Sequence, residues 1–257
     1  MSSHPFTCPA VQRIWGSPDA LLLFFAGASA EFAAIKAVDW LFFTNALPAA
    51  PINRFFETVR FAQRVFFGTP TQATETIANI NRIHRHVETA PGMPIPDWAY
   101  RDVLFILLDY GERAHAIIYG PLSPTDRQEH FEAFLAVGHA MHLSGLPTTY
   151  AEYQTQRHQQ LLDDYAPSPL MERLCDSYRA AIGPWRYWLL RRIQANLLPT
   201  ELLPVAGLRP NCLIGGILRC YRYLPGEGSK PRWLYNLLLP SNMSQQVHKL
   251  ALNVRPG

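Results

Sequence analysis

The sequence predicts an all-α fold, and three observations carry that prediction. Ser or Thr directly precedes Pro at Ser17-Pro18, Thr69-Pro70, Ser123-Pro124 and Ser168-Pro169. An N-cap hydroxyl accepts an orphan backbone N–H, and Pro loses nothing at the first helical position, so each pair reads as a helix start. Gly68, Gly120 and Gly183 fall where helices should stop. Alternating runs rich in Val, Ile and Thr, the mark of strands, are almost missing.

Taken in order, Ser17-Pro18 opens a long apolar helix near 18–44. A second helix spans 51–67, and Thr69-Pro70 starts a third over 70–89. Helices near 97–119 and 124–143 follow; Ser123 with Asp126 makes an acidic capping box at the second of these. Thr149 with Glu152 makes another box and starts 150–164. Ser168-Pro169 starts 169–182, and 184–197 and 201–207 complete the set. The remainder, 208–257, is rich in Gly, Pro and Arg. It reads as a C-terminal extension packed on a main domain formed by residues 1–207.

Composition excludes several classes. Of 257 residues, 48% are hydrophobic and only 17% charged, against about 25% charged in ordinary soluble domains. A disordered chain needs the opposite balance. No apolar run reaches the roughly 18–20 residues that span a bilayer. The net charge of +3 is mild, and basic clusters interleaved with aromatics are missing, so nucleic acid is not an expected partner. Twenty of the 23 cations are Arg, which suits buried carboxylate or phosphate pairing, although a GC-rich genome gives the same skew. The four cysteines show no metal or redox spacing, and the N-terminus lacks a signal-peptide pattern. Both point to a reduced, cytoplasmic protein. The segment Pro184–Arg192, with Trp185, Tyr187 and Trp188 among three arginines, has interfacial character. It leaves peripheral membrane contact open beside the plainer reading of a solvent-flanked bundle helix.

The stretch from Ala20 to Phe43 is apolar on nearly every face, with charges only at Glu31, Lys36 and Asp39. Such a helix belongs at the centre of a bundle. Its charges must then be paired or functional, because burying them alone is costly. Lys36 and Asp39 stand three apart, close enough to pair on one helix face.

The helix over 70–89 carries a core stripe of Ala73, Ile77, Ile80, His84 and Val87, spaced 4, 3, 4 and 3. His84 occupies an apolar position, whereas His86 and Arg82 face the other way. On the preceding helix, Arg54 and Thr58 share a face that continues into Phe61 and Val65. Each has a plain explanation: a hydrogen-bonded core histidine, and an arginine that snorkels to solvent. Together they describe an apolar pocket with a few polar groups, the usual composition of a cofactor site. A haem fits, with imidazole as axial ligand and arginine for its charge. His139 and His142, three apart with no third ligand nearby, are a weak metal signal.

Several segments, in order, resemble one known family. They are Arg54-Phe-Phe-Glu-Thr58, Phe67-Gly68-Thr69, Arg82-Ile-His84-Arg-His86-Val87, Gly120-Pro-Leu-Ser123, Val137-Gly-His-Ala-Met141 and Leu146-Pro147. The chain is similar, from about 19 to 207, to the family of latex clearing proteins and MpaB-type oxygenases. The resemblance implies haem b held in an all-helical, globin-like bundle, with His84 as the proximal iron ligand and Arg54 and Thr58 near the haem. Relatives often carry Arg on both sides of the axial His. Here the same-face neighbours are Asn81 and Glu88, with Ile80 against the macrocycle. The acidic base proposed for relatives lands on Asp39, with Glu31 as the alternative, and Lys36 is a candidate distal ligand.

The expected activity is oxygenation of a hydrophobic small molecule by dioxygen, including oxidative cleavage of an isoprenoid C=C bond. Two other classes remain at this point: a non-catalytic haem protein and a membrane-surface helical protein.

Overall fold

The computed structural model describes residues 4–37, 51–89, 95–224 and 232–252. These residues form twelve α-helices and two short 3-10 turns, and no strand occurs among them. The helices are α1 (Pro9–Trp15), α2 (Pro18–Ala34), α3 (Pro51–Phe67), α4 (Pro70–Thr89), α5 (Asp97–Ile118) and α6 (Pro124–Ala140). They continue with α7 (Tyr150–Asp163), α8 (Pro169–Ile182), α9 (Pro184–Leu197), α10 (Cys212–Cys220), α11 (Arg232–Leu238) and α12 (Ser241–Leu252). The protein is all-α, as the sequence predicts.

The start signals act as proposed. Ser17, Ser123, Thr149 and Ser168 each accept the backbone N–H three residues ahead. At α4, Thr69 and Gln72 satisfy each other's backbone N–H reciprocally, at 2.9 and 3.3 Å. Gly120 and Gly183 adopt φ of +95° and +85°, a region closed to most L-residues.

α2 is the central helix. All but Leu22 and Phe32 of its 17 residues are buried, and it packs against α1, α5, α8, α9 and α12. Its contact with α5 is close enough that a Cβ on Gly27 would stand 2.1 Å from the Tyr110 ring. Leu218, Leu239, Val247 and Leu250, from the C-terminal segment, join the same hydrophobic cluster.

Three expectations need correction. The helix expected over 18–44 ends at Ala34. Ile35 turns extended and pairs with Tyr165 in an isolated bridge. Lys36 N–H and the Ala34 carbonyl bond to Asp164 and Ala166, at 2.9 and 3.1 Å, so these backbone groups are taken by another segment. Instead of a helix over 201–207, a 3-10 turn at Thr200–Leu202 leads into a turn closed at Gly207. Pro204 has no N–H with which to continue a helix. The helix expected to reach 143 stops at Ala140. His142 takes φ +61°, and the N–H groups of His142 and Leu143 bond back to the carbonyls of His139 and Gly138, a Schellman closure. α1 and the helices beyond residue 208 were not expected. α1 spans only 7 residues, too few to display a periodic stripe.

Candidate functional site

α3 and α4 pack against each other and are joined at Gly68-Thr69, and the residues singled out by sequence lie far from that turn on each helix. Arg54 is 14 residues before Gly68 and His84 is 15 after Thr69. At about 1.5 Å per residue, each stands roughly 21–22 Å from the turn along its own helix. Each stripe grades along its helix. On α4, Ala73 and Ile77 are buried, while Ile80 and His84 are half-buried. On α3, Val65 is buried, Phe61 half-buried, and Thr58 and Arg54 exposed. On α3 the buried face at this height is Ile52, Phe56 and Val59, so Arg54 and Thr58 stand on the helix's other side.

His84 and His86 differ as the periodicity requires: His84 is half-buried and His86 exposed. The His84 ring lies against Tyr100 of α5, with centroids 4.7 Å apart and planes at 31°. Asn81 donates from Nδ2 to the Ala140 carbonyl at 3.2 Å, which ties α4 to the end of α6.

Arg54 is not turned inward, as its stripe position suggested. Its side chain is 46% exposed and pairs with Glu57 at 3.0 Å. The Thr58 hydroxyl donates to the Arg54 carbonyl at 3.0 Å. Both bonds are local to one helix. Such pairs are worth a few tenths of a kcal/mol, so either group can be recruited by a ligand at little cost. Asp39 and the side chain of Glu88 lie outside the described residues.

The other two charges on the apolar segment are placed elsewhere. Lys36 is exposed and donates to the Asp163 carbonyl. Glu31 is fully buried and accepts two hydrogen bonds from Arg157 of α7, at 2.5 and 2.8 Å. Arg157 also donates to Asp109 at 2.8 Å, and Asp109 accepts from Arg113 at 2.9 Å. The Tyr165 hydroxyl donates to Glu31, and Gln160 donates to Tyr165. Burial alone would raise the Asp109 carboxyl, but Arg113 and Arg157 outweigh it and hold it below the usual range. Burial opposes the Arg157 charge, yet Glu31 and Asp109 hold it firmly protonated. This network is a closed structural lock with two acids and two cations, not a set of groups awaiting a substrate.

Sequence reasoning did not find Arg157, Asp109 or Tyr165. The one available signal was Glu31, whose burial in an apolar helix demanded a cation without saying which. It also passed over His130, which is fully buried with Nδ1 3.7 Å from Glu112, itself bound by the Tyr150 hydroxyl at 2.9 Å. His139 and His142 are exposed, and no group of three or more ligating side chains able to hold a bare metal ion occurs among the described residues.

The described residues define an all-α protein, with a half-buried histidine on the apolar stripe of α4 and an exposed Arg/Thr pair on the neighbouring α3. The family follows from comparison. Residues 13–215 match the model described as ER-bound oxygenase mpaB/B'/Rubber oxygenase, catalytic domain, and the chain belongs to this family of oxygenase catalytic domains. No curated protein and no solved structure matches it. Among the described residues, no helix is long and apolar enough to cross a membrane.

Proposed function

We propose that this oxygenase is haem b-dependent and acts with dioxygen on a hydrophobic small molecule, including cleavage of an isoprenoid-type C=C bond. The observation that carries this reading is the half-buried His84 on the apolar stripe of α4, with Arg54 and Thr58 on the neighbouring helix, Arg54 at a similar distance along the chain from the shared turn. The donor set fits haem. One imidazole suffices for the iron, the half-buried Ile80 one turn before it on the same face suits the macrocycle, and an arginine with only a local partner suits a propionate. His84 would hold the iron, with its ring orientation fixed by Tyr100. Ile80 would pack on the macrocycle, and Asn81 fixes the height of α4 through its bond to Ala140. Haem supplies the activation of dioxygen. The chain's own contribution is position and field: Arg54 exchanges Glu57 for an anionic group, and Thr58 offers a hydroxyl nearby. Asp39 and Glu88 are assigned to this site on family resemblance, as base and as pocket-edge residue. In this reading residues 1–207 form the haem-binding unit, and 208–257 pack on it.

Glu31 is a poor candidate for a catalytic base, because Arg157 and Tyr165 occupy its oxygens. Lys36 is equally poorly placed as a distal ligand, since it lies on the surface.

The test is to reconstitute the purified protein with haem b, record ferric, ferrous and carbon monoxide spectra, and then follow dioxygen uptake with an added isoprenoid alkene. A Soret band that shifts with carbon monoxide, and uptake dependent on the alkene, are expected. A protein that takes up no haem would overturn the reading. A haem protein that consumes no dioxygen with any alkene would reduce it to haem binding.

A further inference from the structure

The basic charge of this protein is concentrated in one segment. Residues 179–224 contain seven arginines and a single carboxylate, Glu201, while the rest of the chain holds 16 basic and 19 acidic residues. Ion pairs among the described residues involve none of these seven arginines. Glu201 stands beside His158 instead.

Four of the seven converge. Arg179 of α8, Arg191 and Arg192 of α9, and Arg209 line an open groove of about 620 Å³ with Tyr187 and Trp188, and no acidic residue lines it. Arg191 is structural: it donates to the Ala206 carbonyl at 2.5 Å and so clamps the 203–209 turn onto α9. That turn reverses at Gly207, with φ +61°, and carries Arg209 to the groove wall. Arg179, Arg192 and Arg209 are exposed. The aromatic rings beside them are exposed too, Trp185 at 46% and Trp188 at 59%. Arg186 lies over the Trp185 ring and Arg192 over that of Trp188, at 4.9 and 5.4 Å.

This face combines exposed indole rings with arginines that have no carboxylate partner among the described residues. The same combination suits the boundary of a bilayer, where indole rings settle at headgroup level and arginines meet lipid phosphates. We propose that the α8–α9 groove, with Trp188 on its wall and Trp185 one turn before it on α9, is a docking surface for an anionic lipid bilayer. Arg179, Arg192 and Arg209 engage headgroup phosphates, and Trp185 and Trp188 enter the interface. The surface is built from different helices than the α3–α4 site, so it stands independently of the haem assignment.

The experiment is co-sedimentation of the full chain with vesicles of phosphatidylcholine alone, or mixed with phosphatidylglycerol, at low and high salt. Tryptophan emission is read in parallel. Binding is expected only with the anionic vesicles, weakened by salt, and accompanied by a blue shift. Each arginine near such a surface contributes about fivefold in partitioning, so Arg192→Glu with Arg209→Glu loses roughly twentyfold or more. Trp188→Ala reduces both binding and the blue shift, while Arg64→Glu, at an exposed arginine of α3, retains full binding. Circular dichroism confirms that each variant is folded. Trp188 is so exposed that its removal leaves the core intact if the double variant fails that check. Equal binding to neutral and anionic vesicles, no binding to either, or binding that survives both the double variant and Trp188→Ala, overturns the proposal.

Discussion

Arg157 and Arg54 both stand beside a carboxylate, and the protein uses them in opposite ways. Arg157 is 5% exposed and joins Glu31, Asp109, Gln160 and Tyr165 across three helices and a loop. Arg54 is about half exposed and bonds only to Glu57, one turn away on its own helix. The first arrangement leaves no valence for a ligand. The second costs almost nothing to rearrange. Polar groups that the fold has fully committed hold the bundle together, and loosely committed groups such as Arg54 are the ones the proposed haem would recruit.

Breaking the lock should produce the largest effect. Arg157→Ala strands Glu31 in the interior and leaves Asp109 with Arg113 alone, and a loss of about 3–5 kcal/mol is expected in denaturant unfolding. Acid should weaken the same network. Asp109 titrates below its ordinary range, so its contribution is complete above about pH 4 and is lost as pH falls through the folded value.

Asp102 sharpens the contrast from the other side. It is buried close to Gln160, which donates to its carbonyl, and its carboxyl faces that of Asp164 rather than a cation. Burial, with repulsion from Asp164, pushes its carboxyl up to about 7. The folded state therefore binds a proton that the unfolded chain releases near pH 4, and the group destabilises the fold increasingly between about pH 4 and 7. Asp102→Asn should stabilise the protein by roughly 2–4 kcal/mol above pH 7 and leave it unchanged below pH 4. Melting temperatures across that range check the sign: a gain at low pH, or none at high pH, would contradict it.

The smallest stability effect is expected at Arg54. Arg54→Ala should change the stability of the haem-free protein by less than about 0.5 kcal/mol, while weakening haem uptake in titrations. A stability loss like that of Arg157→Ala would erase the distinction between the two regions.

Much of the scaffold was legible in the sequence because its signals are local. Ser, Thr and Pro at helix starts act within three residues, and the all-round apolar face of α2 follows from its own composition. The α4 stripe likewise separated His84 from His86. What stayed hidden was decided by distant partners. α2 stops at Ala34 because residues 164–166 bind its end. The partner of Glu31 lies 126 positions away, at an arginine whose own helix gives no hint of burial. Arg54 misled because α3 packs through another face: Ile52, Phe56 and Val59 are buried at the same end of the helix while Arg54 and Thr58 are exposed.

The central claim is that His84, and not its neighbour two positions on, is the residue around which the site is built. The direct measurement is the absorption spectrum of haem-reconstituted His84→Ala beside His86→Ala. The expected result is a lost or shifted Soret band in the first and a nearly unaltered spectrum in the second. Equal loss in both, or loss only in His86→Ala, would contradict the account.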